Sequence, residues 1–124
     1  MFNEVKRPKF DLEERTSKFA KEITLLCERI PVNLKTEVLV KQLLRAGTSV
    51  GANYSEANNA SSKKEFVYRI SVCKKEACET RYWLRLLPTT NFSVSQKGTE
   101  LLREICELIL IFSRILLSCK KPKH

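Results

Sequence analysis

Residues 66–87 read FVYRISVCKKEACETRYWLRLL, and the apolar and small positions in this stretch decide the fold. Phe66, Ile70, Cys73, Ala77, Thr80, Leu84 and Leu87 recur at spacings of 4, 3, 4, 3, 4 and 3, a sustained heptad seam. A strand would alternate at every second residue, so this period predicts one long helix packed along a single line. Ser62-Lys63-Lys64-Glu65 precedes it with the capping-box pattern, after the turn-forming run from Asn58 to Ser61. Pro88 and the polar Thr89-Thr90-Asn91 stretch end it.

The same rhythm appears on both sides of this segment. Leu101, Ile105, Leu108, Phe112, Ile115 and Cys119 predict a fourth helix starting near Ser95 or Gln96. Toward the N-terminus, Asp11 with Glu14 three positions on predicts a helix start. Leu12, Phe19, Ile23, Leu26 and Ile30 then line one face until Pro31 stops it. Between these lies a helix from about Lys35 to Ala57, with Leu39, Leu43, Ala46, Val50 and Asn53 as its inner line. Val40, Leu44, Gly47 and Gly51 form a second line roughly 100° round. Each glycine inside a helix costs about 1 kcal/mol relative to alanine. Two of them four residues apart mark either a close approach by another helix or a break near Gly47. Four long helices with short connections predict an all-α fold, an antiparallel up-down four-helix bundle over residues 11–119. A basic N-terminal arm (1–10) and a basic C-terminal tail (120–124) flank it.

Composition agrees. The 124 residues suit one domain, and 3 Gly and 4 Pro leave little material for the turns of a β-sandwich or barrel. Five cysteines, an odd number with no Cys-x-x-Cys pair, read as reduced, mostly buried thiols. The opening residues lack the apolar core of a signal peptide, and the cleanest apolar run, Leu108 to Phe112, is far short of the ~18 residues that span a membrane. The expected location is cytoplasmic.

Catalysis has little to work with. The single histidine is His124, no nucleophile elbow or phosphate loop is present, and Glu76 and Glu79 lack the histidines of a bundle metal site. The chain therefore reads as a non-enzyme with no metal and no cofactor. Gln42, Arg45, Ser49 and Glu56 share a ~60° arc of the second helix, with Asn53 at its edge. Glu76 and Glu79 sit beside Val72, Trp83 and Leu87, so they need partners, and the planar fork of Arg45 suits carboxylates. An interhelical network that fixes register is favoured over a binding pocket.

Net charge is +9, of which the arm carries +2 and the tail +3. Lys63, Lys74, Arg81 and Arg85 fall on one arc read as outward, and with Lys120 and Lys121 they are the candidate phosphate contacts. The plain alternative is an ordinary solvated basic face. From Ile105 to Cys119, 11 of 15 residues are apolar, and Leu110, Leu117 and Cys106 lie opposite the seam. Either this helix is central or a few leucines are simply exposed, or copies of the chain associate. Self-association is favoured, with Val40, Leu44, Gly47, Gly51, Leu110 and Leu117 as interface candidates.

The stretch Gln42 to Ala57, QLLRAGTSVGANYSEA, resembles the signature of the bacterial four-helix-bundle family encoded in intervening sequences of large-subunit ribosomal RNA genes. Lys75 to Leu87, KEACETRYWLRLL, looks like the third-helix signature of one branch. Phe66 and Ile30-Pro31 also fall where that family has them, so the match spans about Phe10 to Cys119. The resemblance implies an up-down bundle, a cyclic pentamer and no known enzymatic activity. The family is similar to the accessory protein of diversity-generating retroelements, which binds RNA and a reverse transcriptase through a basic pentamer. One departure is Glu56-Ala57 followed by Asn58-Asn59, where the family often has Glu-Gly, so a different turn is expected there. Two readings follow: binding of nucleic acid, RNA above all, through basic surfaces, or a scaffold or accessory subunit for a protein partner.

Overall fold

The computed structural model describes residues 11–120. They form four α-helices: α1 (Leu12–Glu28), α2 (Glu37–Asn58), α3 (Lys63–Leu84) and α4 (Phe92–Lys120). No strand occurs among the described residues. The N-terminal arm, and the tail from Lys121 onward, lie outside them.

The helix ends follow from local side-chain chemistry. The Asp11 carboxylate accepts from the Glu13 and Glu14 amides at 3.0 and 3.3 Å, satisfying donors that a helix start leaves free. Ser62 Oγ accepts from Glu65 N at 3.0 Å, and the Glu65 carboxylate reaches back to the Ser61 amide at 3.1 Å. The fourth helix begins earlier than Ser95. Asn91 Oδ1 accepts from Val94 N at 3.2 Å, so the asparagine that reads as loop is the cap of α4. The third helix stops at Leu84, short of the end of its seam, but Leu87 still packs against the core. At the departure from the family pattern, Ala57 is buried inside α2, and the helix runs on to Asn58 with no left-handed residue in the turn.

Phe19, Ile23, Leu26, Leu43, Val50, Ile70, Leu101, Ile105, Leu108 and Phe112 fill the interior, each nearly inaccessible to solvent. Paired residues set the sense of packing. Gly47 meets Ile23 while Gly51 meets Thr16, so the numbers on α1 fall as those on α2 rise. Asn53 meets Arg69 while Arg45 meets Glu76, which gives the same opposed sense for α2 and α3. Leu87 lies against Gly98 near the α3–α4 connection. Of the four neighbouring helix pairs, α1 and α4 pack together most loosely. Arg15 bridges that gap, donating to both Glu104 oxygens at 3.0 and 2.8 Å and to Glu107 at 3.1 Å, and Lys97 pairs with Glu22 at 3.2 Å.

The helix does not break at Gly47. A Cβ there would sit 3.0 Å from two carbons of the fully buried Ile23, and one at Gly51 would sit 3.3 Å from the Thr16 carbonyl oxygen. Both glycines thus serve contact with α1 of the same chain. The close approach that the two glycines mark is met within the chain. Gly47→Leu is expected to lower unfolding stability by about 2–3 kcal/mol through overpacking, read by urea denaturation. Gly98→Ala should stay within about 1 kcal/mol of the native protein. Its clash is with the tip of Leu87, a flexible side chain bordering a 240 Å³ surface groove into which it can turn.

Candidate nucleic-acid interface

The surface of α3 is set by where its three carboxylates go. Glu65 is turned toward the helix start, where the Ser61 amide and then its hydroxyl hold the carboxyl below its ordinary pKa. Glu76 and Glu79 turn toward α2, where Arg45 Nη1 donates to Glu76 at 3.1 Å and Nη2 donates to Glu79. What remains exposed between Lys63 and Leu84 is Lys63, Lys64, Tyr68, Ser71, Lys75 and Tyr82. No carboxylate is among them. None of the three lysines forms an ion pair among the described residues.

This outward line differs from the one read in the sequence. At ~100° per residue, Lys64, Tyr68, Ser71, Lys75 and Tyr82 fall within a ~60° arc opposite Ala77, the centre of the buried seam. Lys74 and Arg81 lie only ~40–60° from Ala77 and are half-buried. Both remain unpaired among the described residues, but they flank the core instead of crowning the surface. Lys63 and Arg85 are exposed at the two ends of α3, and Lys120 is exposed at the end of α4. Lys63 and Cys119 line one 390 Å³ groove, which brings the end of α4 beside the start of α3. The expected cations are therefore strung along the molecule and not gathered in one cluster. Lys121 lies outside the described residues. The tyrosine–lysine line was legible in principle: it is the set of residues diametrically across from the seam.

Polar side chains join α2 to α3. Gln42 Oε1 accepts from Arg45 Nε at 3.1 Å, and Trp83 Nε1 donates to the Glu79 carboxylate at 3.3 Å. Ser49 Oγ donates to the Arg45 carbonyl at 2.8 Å, and Asn53 Nδ2 to the Ser49 carbonyl at 2.9 Å. Two corrections apply. Glu56 is exposed, and its side chain has no polar partner among the described residues. Arg69 belongs to the network: it donates to Asn53 Oδ1 at 3.0 Å and lies 5.5 Å from the centre of the Tyr68 ring.

Removing Arg45 leaves Glu76, whose side chain is 13% exposed, without its cation. Arg45→Met is expected to cost about 1–2 kcal/mol at neutral pH, the pair being partly solvated. Hydrogen bonding to Arg45 holds the Glu79 carboxyl below its ordinary value. Its stabilisation is thus complete above the usual carboxylate range and is lost as acid titrates the folded form. Thermal melts from pH 7 to about pH 3 should show a shallower acid loss in Arg45→Met than in the native chain.

Of the apolar candidates, Leu110 and Leu117 are 56% and 62% exposed, and Leu44 is also exposed. Val40 is half-buried against the core, and Cys106 is half-buried. Leu110 borders a groove of about 480 Å³ between α1 and α4, lined also by Leu12, Ile111, Arg114 and Ile115. All five cysteines are free thiols; burial pushes Cys27 up to about 11 and Cys73 up to about 12. Among the described residues no group of three or more His, Cys, Asp or Glu is placed to hold a metal ion, and no helix is long and apolar enough to cross a membrane.

Four helices around one apolar core, with polar chemistry spread over outer faces, define the class: a small all-α protein built around surfaces. The chain belongs to the 23S rRNA-intervening sequence protein family, which matches residues 9–114. It is similar to a solved protein of unknown function from the S23 ribosomal protein family of Bacteroides thetaiotaomicron VPI-5482. The two share 34% identity and superpose with a TM-score of 0.73, covering 84% of this chain and 96% of the other. No curated protein matches the chain.

Proposed function

We propose that this chain is a non-enzymatic, cytoplasmic, homo-oligomeric up-down bundle that binds nucleic acid, namely RNA, through its basic surfaces. The observation that carries the reading is the outer face of α3, where Lys64 and Lys75 are exposed with no carboxylate on the same arc, and Lys63 is exposed at the helix start. Cations that form no ion pair neutralise phosphates and release their counterions without first breaking one. The opposed pairings of α1 with α2 and of α2 with α3 support the up-down arrangement. Exposed Leu110 and Leu117 support association into a closed ring, a pentamer by the family resemblance. In a ring each protomer's positive charge adds to one field.

Electrophoretic shift of a labelled RNA at low salt tests the reading. A complex whose mass fits several protomers, and which dissolves as salt rises, is the expected result. An RNA that migrates unchanged at every protein concentration contradicts it.

A second reading, a scaffold or accessory subunit for a protein such as a reverse transcriptase, is favoured by a different observation. Leu34 in the α1–α2 connection is 94% exposed, and Val32 and Phe92 are also exposed. Substituting these three with serine separates the readings: a scaffold loses its partner in a pull-down, while RNA affinity stays as in the native chain.

A further inference from the structure

We propose that the outer face of α3 takes single-stranded RNA by stacking unpaired bases on Tyr68 and Tyr82, with Lys64 and Lys75 on the adjoining phosphates. This rests on the nucleic-acid reading above and specifies its ligand. The two rings are 59% and 55% exposed. They lie ~40° apart round the helix and ~21 Å apart along it, with Lys75 between them and Lys64 one turn before Tyr68. A lone exposed aromatic on a helix needs no explanation. Two on one line, interleaved with lysines that form no ion pair among the described residues and with no carboxylate exposed on the same arc, form the combination that binds single strands: a π-face for any base and a cation for each phosphate.

Each ring is held by a neighbour that is itself anchored to α2. Arg69 sits 5.5 Å from the Tyr68 ring centre and donates to Asn53 at 3.0 Å. Trp83 meets Tyr82 edge-on, with centroids 4.9 Å apart and planes at 76°. Its indole N–H donates to Glu79 at 3.3 Å, and Glu79 is bound by Arg45. The network between α2 and α3 thus restrains both rings, which lessens the entropy that binding must remove. A duplex keeps its base faces stacked on one another, so it gains from the lysines but not from the rings.

The test is fluorescence anisotropy of the full chain with an unstructured single-stranded RNA and with an RNA duplex, each over a salt series. Tyr68→Ala and Tyr82→Ala are each expected to weaken single-strand binding about 5- to 100-fold while leaving the salt slope unchanged. Tyr→Phe at either position should bind as the native chain does, because the π-face is kept. Lys64→Gln and Lys75→Gln should each lower the salt slope by about 0.7. Duplex affinity should not respond to the tyrosine changes. If both alanine variants bind the single strand as tightly as the native chain while the lysine variants lose slope, stacking is overturned and nucleic-acid binding stands. If the native chain binds neither RNA at low salt, both are overturned. The rings are exposed, so unchanged melting temperatures are expected and keep the comparison direct.

Discussion

Lys64→Glu combined with Lys75→Glu is expected to lower RNA affinity about 100-fold at low salt. Each native lysine offers a phosphate one charge-assisted bond, and each glutamate replaces attraction with repulsion. The salt slope should fall by about 1.4 for a single strand, since two counterion-releasing contacts disappear. Fold should be preserved, because both side chains are exposed and neither forms an ion pair among the described residues. Filter binding of native and variant chains at matched salt checks this. Charge reversal at half-buried Lys74 and Arg81 is expected to act less on affinity and more on stability, because those positions flank the core. Equal loss of affinity from the two pairs would mean that the face opposite Ala77 is not the one that meets RNA.

Leu110→Glu with Leu117→Glu is expected to turn the assembly into 14.4 kDa protomers. A leucine buried against a neighbour contributes about 1.5–3 kcal/mol. Two per protomer correspond to a loss of roughly 10²- to 10⁴-fold in association, before the added cost of placing carboxylates in an apolar contact. The variant protomer should melt cooperatively, since neither leucine belongs to the core of the chain. Multi-angle light scattering reads the outcome. A native chain that already elutes as a single protomer, or a variant with unchanged mass, removes the ring from the account.

The fold was legible in the sequence because its signal is periodic. The seam from Phe66 to Leu87 and its counterpart from Leu101 to Cys119 each need only the helical repeat to be read. The Asp11 and Ser62 caps are local patterns of three or four residues, and both make the expected bonds. What was misplaced depended on the absolute direction of a face. Lys74 and Arg81 share a spacing of seven, which puts them on one line but does not say whether it points to solvent. Only the bearing of that line relative to Ala77 decides, and the seam's own centre supplies it. Gly47 and Gly51 correctly signalled a close approach, but glycine carries no information about whose helix approaches. The contact proved to be with α1 of the same chain. Arg69 was missed because its partner, Asn53, is sixteen residues away across a turn. Glu56 shares the arc of Arg45, but its side chain is exposed and forms no bond among the described residues.

The central claim is that α3 presents unpaired cations to RNA. Its most direct test is the slope of log affinity against log salt for a single-stranded RNA and the native chain. With Lys63, Lys64 and Lys75 each meeting a phosphate, the account predicts a straight line with a slope of about −2 or steeper. A slope near zero, or no measurable affinity at the lowest salt, would contradict it.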